Sequence, residues 1–177
     1  MDDESIPGRA ARAGDIVFFL NNWKCRVDKI ETPIMLAAWI RENADRLEAL
    51  APLTIVGDEL PEAIPEIQAL YQSLMEAGRK KIPNWSDAAA SKALHQVIPG
   101  LFVMWDKNIK PFATDYGDFM LEMHQLALRL IEESPYTGEE LEQQLQEQLG
   151  YGVRKTIAKY LDKFNWYVMV GAGQLRR

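Results

Sequence analysis

Ser86-Asp87-Ala88-Ala89-Ala90-Ser91-Lys92-Ala93-Leu94-His95-Gln96-Val97, stopped by Pro99-Gly100 and followed by Leu101-Phe102-Val103-Met104-Trp105 and then Asp106, is the stretch on which the fold turns. Ser86 carries the side-chain oxygen of an N-cap ahead of a run of small, helix-compatible residues, and the Pro-Gly pair ends a helix at about Val97. The apolar residues 101–105 then read as a short connector. Asp106 can accept first-turn amide hydrogens and favours the positive end of a helix dipole, so it is expected to open the next helix. Helix, short apolar crossing, helix is the grammar of an all-α chain.

The same grammar extends in both directions. Upstream, Ile16, Phe19, Leu20 and Trp23 recur at helical spacing, which predicts a first helix over about residues 10–24. Thr32 before Pro33 reads as an N-cap and a first-turn proline of a second helix reaching Leu50. A turn-rich link over residues 51–63 contains one short apolar run, residues 53–56, open to an extended or a last-helical-turn reading. Pro65 is expected to open a third helix carrying Ile67, Leu70, Tyr71, Leu74 and Met75, with Gly78 ending it. Downstream, Phe119, Met123, Leu126, Ala127, Leu130 and Ile131 define a long helix that stops near Ser134-Pro135. Thr137 with Glu140 reads as a capping box for a helix bearing Leu141, Leu145 and Leu149. A last helix is expected over about residues 153–164, followed by an apolar segment, residues 166–170, docking on the core. No repeat or long linker interrupts the chain, so residues 1–177 read as one all-α domain of seven or eight helices. Its expected core is Phe19, Leu20, Trp23, Leu70, Leu94, Phe102, Leu126, Leu130, Ile157 and Leu161.

With 177 residues, 47% hydrophobic and 26% charged, the chain is long enough for a substantial core and is not of disordered or fibrous composition. Its net charge is −6 and unevenly placed: residues 115–147 hold nine acids and one base, residues 148–177 one acid and six bases. These surfaces read as solvated faces that neutralise each other. The acidic start Met1-Asp2-Asp3-Glu4 is unlike a secretory leader, and no apolar run reaches the roughly 20 residues of a bilayer span. A single cysteine, Cys25, excludes an internal disulfide and fits a reducing cytoplasm. No membrane association is expected.

Conventional catalytic patterns are missing: there is no phosphate-binding glycine loop, no nucleophile elbow and no metalloprotease helix signature. His95 and His124, the two histidines, have no partner at helical spacing that would make a metal pair, so no metal and no cofactor are expected. His95 reads foremost as a hydrogen-bonded helix residue, and Cys25, between Lys24 and Arg26, as a small packed side chain.

One constellation carries functional information. Asn84-Trp85-Ser86, the helix after it, and Asp106-Lys107-Asn108-Ile109-Lys110 resemble the helix-hairpin-helix core of DNA base-excision glycosylases, the adenine-glycosylase branch most of all. Ser91-Lys92-Ala93-Leu94-His95 with Phe102-Val103-Met104-Trp105-Asp106 also resembles a group of uncharacterised bacterial helical proteins. The first resemblance implies that Asp106 stabilises a sugar cation or orients water, as a carboxylate at a helix start can. It further implies substrate contacts at Lys92, His95, Trp105 and Tyr116, and nucleic-acid contacts at Asn84, Ser86, Lys107 and Lys110, along a basic track that includes Arg79, Lys80 and Lys81. The chain departs from the pattern at three points. Asn84 and Ser86 stand for the two hairpin glycines, Ala88 stands where a Schiff-base lysine would be, and one cysteine cannot hold an iron–sulfur cluster. The favoured expectation is therefore a non-catalytic binding or interaction module on a degenerate form of this core, with a DNA or a protein partner. The alternative is a monofunctional DNA N-glycosylase-like enzyme using Asp106.

Overall fold

The structure, a computed structural model, describes residues 5–106, 113–149 and 155–166, and its regular structure is entirely α-helical there. Among the described residues nine helices run in order: α1 Ile6–Ala11, α2 Ala13–Asn22, α3 Glu31–Glu42, α4 Ala44–Leu50, α5 Leu60–Lys81, α6 Asp87–Val97, α7 Tyr116–Glu132, α8 Gly138–Leu149 and α9 Ile157–Trp166. This exceeds the expected seven or eight because two helices are broken. The first begins early, where the Ser5 hydroxyl accepts the Gly8 amide at 3.1 Å ahead of Pro7, and it is interrupted at Arg12. The second is interrupted at Asn43, whose Nδ2 donates to the Trp39 carbonyl at 2.9 Å while its Oδ1 accepts from Arg46.

Other boundaries differ for equally local reasons. Asp28, not Thr32, caps α3: its Oδ1 accepts the Ile30 and Glu31 amides, both at 2.7 Å, and Thr32 is buried within the first turn. Helix α5 opens at Leu60 with Pro61 in its first turn, so Pro65 lies inside it. Gly78 also lies inside, because the Trp85 indole rests directly on its backbone and a Cβ there would overlap the ring. Ser86 caps α6 through the Ala89 amide, as the sequence suggests, and α6 ends at Val97. The Glu140 carboxylate accepts both the amide and the hydroxyl of Thr137 at the start of α8. Residue 153 and the terminal segment beyond Trp166 lie outside the described residues, as does any helix start after Asp106.

Helix α5 is the axis of the packing: α3, α6 and α7 lie against it, α1 and α2 cover α3, α2 also touches α6, and α9 leans on α7. Leu20, Leu70, Leu94, Phe102, Ile157 and Leu161 are buried as expected, and Phe19 and Leu126 are partly buried. Trp23 and Leu130 are not core residues; they stay 40% and 43% exposed. Trp23 follows the last residue of α2, so it leaves the stripe that the periodicity assigns to it.

The segment 101–105 runs through the middle of this packing without helix or strand, and its five side chains are all buried. Buried backbone groups need partners, and here side chains of the flanking helices provide them. The Phe102 carbonyl meets His95 Nδ1 at 2.7 Å, the Val103 carbonyl accepts from the Tyr116 hydroxyl at 2.8 Å, and the Val103 amide approaches Met120 Sδ at 3.5 Å. Ser91 Oγ accepts the Trp105 amide and donates to the Trp105 carbonyl, both at 2.9 Å. A similar device holds the link before α5, where the Ile55 amide donates to the Gly100 carbonyl at 2.9 Å and the Ile55 carbonyl meets His124 Nδ1 at 2.8 Å.

Candidate functional site

The residues that the sequence singles out are placed by α6, the buried crossing and the start of α7, and they fall into sets with different neighbours. His95 is 4% exposed and its Nδ1 is committed to the Phe102 carbonyl, which fixes the Nδ1–H tautomer. Burial holds its pKa down to about 4 against the upward pull of that hydrogen bond, so the ring is neutral at physiological pH. Tyr116 is fully buried and its hydroxyl is spent on the Val103 carbonyl, while burial raises its phenol well above the usual range. Both side chains tie the crossing in place.

Trp105 and Tyr116 belong to a first set. Their rings join Tyr71 and Phe119 in one aromatic cluster, with Tyr71 stacked on Tyr116 at 4.3 Å between centroids and Trp105 stacked on Phe119 at 5.7 Å. Tyr71, Trp105 and Tyr116 of this cluster form the floor of a groove of about 490 Å³ between α5, the start of α6 and the start of α7. Its polar lining includes Gln72, Glu76, Arg79, Asp87 and Asp115, so carboxylates outnumber cations three to one. The Tyr71 hydroxyl donates to Asp87 at 3.0 Å, and Arg79 lies 3.8 Å from the same carboxylate. Desolvation first, and the Asp87 charge second, keep the Tyr71 phenol protonated.

Lys92 belongs to a second set. Its side chain, on the buried face of α6, is 7% exposed, and its Nζ lies 5.3 Å from the centroid of the Trp23 ring. Lys159 of α9 points to the same indole from 4.3 Å, pairs with Asp162 at 2.9 Å and has Met104 Sδ at 3.9 Å. Cys25 and Asp106 are the other ionisable neighbours: burial raises the Cys25 thiol, with Lys92 lowering it and Asp106 raising it. A thiol held protonated in this way is a poor nucleophile. An indole gives a cation about 0.5–2 kcal/mol. Lys92 has no hydrogen-bond or ion-pair partner among the described residues, and its Nζ is not among the fully buried polar atoms left without a partner, so the ammonium keeps a face to solvent.

Asn84 and Ser86 lie at the turn into α6, and Asn84 adopts a left-handed conformation, φ 63°. Asp106 is partly exposed and follows directly on the clamped Trp105. Lys107 and Lys110 lie outside the described residues. Of the basic track, Arg79 faces Asp87 and Lys80 pairs weakly with Glu76 at 4.0 Å, both on exposed parts of α5. The described residues therefore bring Asp106 and Lys92 each near Cys25, and bring Trp105 to Tyr116, but do not gather all the candidates in one cavity.

Sequence reasoning missed Tyr71 and Asp87 of the groove, assigned Arg79 to a basic track and not to this rim, and missed Trp23, Lys159 and Asp162 of the lysine set. Tyr71 carries the periodicity of a core stripe, and Lys159 with Asp162 has the spacing of an ordinary surface pair on one helix. No group of three or more His, Cys, Asp or Glu side chains able to hold a metal occurs among the described residues. No helix among them is long and apolar enough to cross a membrane. No protein-family model, curated protein or solved structure matches the chain.

Proposed function

We propose that the protein is a non-catalytic interaction module whose partner occupies the groove over Tyr71, Trp105 and Tyr116. The observation that carries this reading is the groove's lining: an aromatic floor with a polar rim that holds three carboxylates, Glu76, Asp87 and Asp115, and one cation, Arg79. Such a rim favours a partner presenting amines or guanidinium groups and repels a phosphate backbone. His95 and Tyr116, which a catalytic reading would use, are engaged by backbone carbonyls of the crossing. The test is calorimetric titration with an oligolysine peptide and with spermidine, in the wild type and in a Glu76→Gln/Asp115→Asn double variant. Asn keeps a cap acceptor for α7, so the double variant removes charge rather than the helix start. Saturable binding that weakens in the variant supports the reading; absence of binding to both probes refutes it.

A second reading, a glycosylase-like enzyme using Asp106, is favoured by one observation. Asn84 takes the left-handed turn that a hairpin ahead of a phosphate-facing helix requires, immediately before the Ser86-capped start of α6. The resemblance of residues 84–110 to that core gives the turn its meaning. Base release from a lesion-containing duplex, lost in Asp106→Asn, is the result this reading requires.

A further inference from the structure

The groove leaves unexplained a second feature of the molecule, the lysines gathered at Trp23. We propose that Lys92 and Lys159, at the indole of Trp23, form a binding site for a compact oxyanion, the phosphate group or carboxylate of a small molecule.

Three observations converge on it. Lys92 is more than nine-tenths buried and, among the described residues, has no carboxylate, carbonyl or hydroxyl to receive its ammonium hydrogens. Lys159, 13% exposed at its side chain, directs a second ammonium to the same ring and is close enough to Lys92 to be depressed by its charge. The carboxylate at this place, Asp162, is engaged by Lys159 and leaves Lys92 without an ion pair of its own. His95, a titratable neighbour of Lys159 and Asp162, is neutral and adds no charge there.

The local backbone keeps the site open on one side. Trp23 directly follows α2, and the next residues turn sharply, with Lys24 at φ 60° and Arg26 at φ 55°, both in the left-handed region that residues other than glycine seldom adopt. This turn leaves the indole 40% exposed beside two lysines whose side chains are mostly buried. An oxyanion entering there would give Lys92 the charge-assisted hydrogen bonds that no protein group supplies. The site uses residues of α2, α6 and α9 and none of the groove's lining, so it stands or falls separately from the proposed interaction surface.

The test is thermal unfolding and tryptophan emission of the whole chain, titrated at constant ionic strength with inorganic phosphate in one arm and acetate in the other. The wild type is expected to show a saturable rise in midpoint and a parallel change in emission with at least one of them, and the responding arm identifies the oxyanion. Lys92→Gln is expected to weaken that anion about tenfold or more, the loss of one charged hydrogen-bond donor. Lys29→Gln, which removes the same charge from an exposed position, is expected to leave the response unchanged. Trp23→Phe is expected to abolish the emission change while the rise in midpoint persists. No saturable response of the wild type to either anion overturns the proposal, as does an equal response in Lys92→Gln or an emission change that survives Trp23→Phe.

Discussion

Gly78→Ala is expected to destabilise the protein although alanine is the better helix former. Gly78 lies inside α5, where replacing glycine by alanine ordinarily gains about 1 kcal/mol. Here a Cβ would fall onto Nε1, Cδ1 and Cε2 of Trp85, within the radius of the ring itself. The indole is 7% exposed and its Nε1 has no hydrogen-bond partner among the described residues, so nothing but shape holds it to the glycine. Two responses are open to the protein. Forcing the methyl in costs about 1–3 kcal/mol of overpacking, and expelling the indole costs about as much as truncating it, 3–5 kcal/mol. Subtracting the helical gain leaves a net loss of about 0–2 kcal/mol for the first response and about 2–4 kcal/mol for the second, measured as a lower denaturant midpoint at unchanged slope. A double-mutant cycle isolates the cause. In a Trp85→Ala background the obstacle is gone, so Gly78→Ala is expected to become stabilising by up to about 1 kcal/mol. A stability gain for Gly78→Ala alone, or the same loss in both backgrounds, refutes the reasoning that this glycine is the seat of an indole.

Three further outcomes are expected. Ser91→Ala leaves the buried amide and carbonyl of Trp105 without their hydroxyl partner and is expected to cost about 2–4 kcal/mol by chemical denaturation; a loss under about 0.5 kcal/mol would show that the crossing does not need the clamp. His95 has its pKa depressed to about 4 from 6.5, so above that upper value both states are neutral and the residue has no pH effect. As pH falls from 6.5 towards 4 the unfolded chain takes a proton that the native state refuses, and up to about 3 kcal/mol of stability is lost, with no further loss below; His95→Gln is expected to show a shallower acid slope in that window, and an identical slope refutes the assignment. Asp106→Asn is expected to cost only a few tenths of a kcal/mol and Asp106→Ala about 1 kcal/mol if the carboxylate serves as a cap, which paired unfolding curves and a lesion-oligonucleotide cleavage screen decide together.

How far the fold could be read depended on whether neighbours in sequence or neighbours in space set each feature. Helix α6 was legible to the residue because Ser86 and Pro99-Gly100 act within one turn of its ends. The Thr137–Glu140 start of α8 was legible for the same reason, whereas α7 was legible from its apolar stripe and its stop near Ser134-Pro135 and not from its Asp115 cap. Pro65 and Gly78 misled because their local meaning, start and stop, was overridden: Pro61 had already opened α5, and the Trp85 ring needed a glycine within it. Thr32 misled because Asp28, earlier in the chain, already held the α3 amides. For the site, periodicity placed Lys92 and His95 on α6 but could not show that Trp23 and Lys159, on helices remote in sequence, would meet Lys92.

The crossing at residues 101–105 explains why the chemical-looking residues of the middle segment are weak evidence for catalysis. A buried stretch with neither helix nor strand leaves its own amides and carbonyls to be satisfied, and short of water only side chains can do it. Ser91, His95 and Tyr116 do so here, and a polar residue so engaged has its geometry set by the backbone it holds. In a helical protein, then, a Ser, His or Tyr beside a short apolar connector is first a candidate for tying that connector down. The carboxylates of the groove's rim and the lysines at Trp23 hold no part of this connector, which is why both functional readings rest there and not on His95.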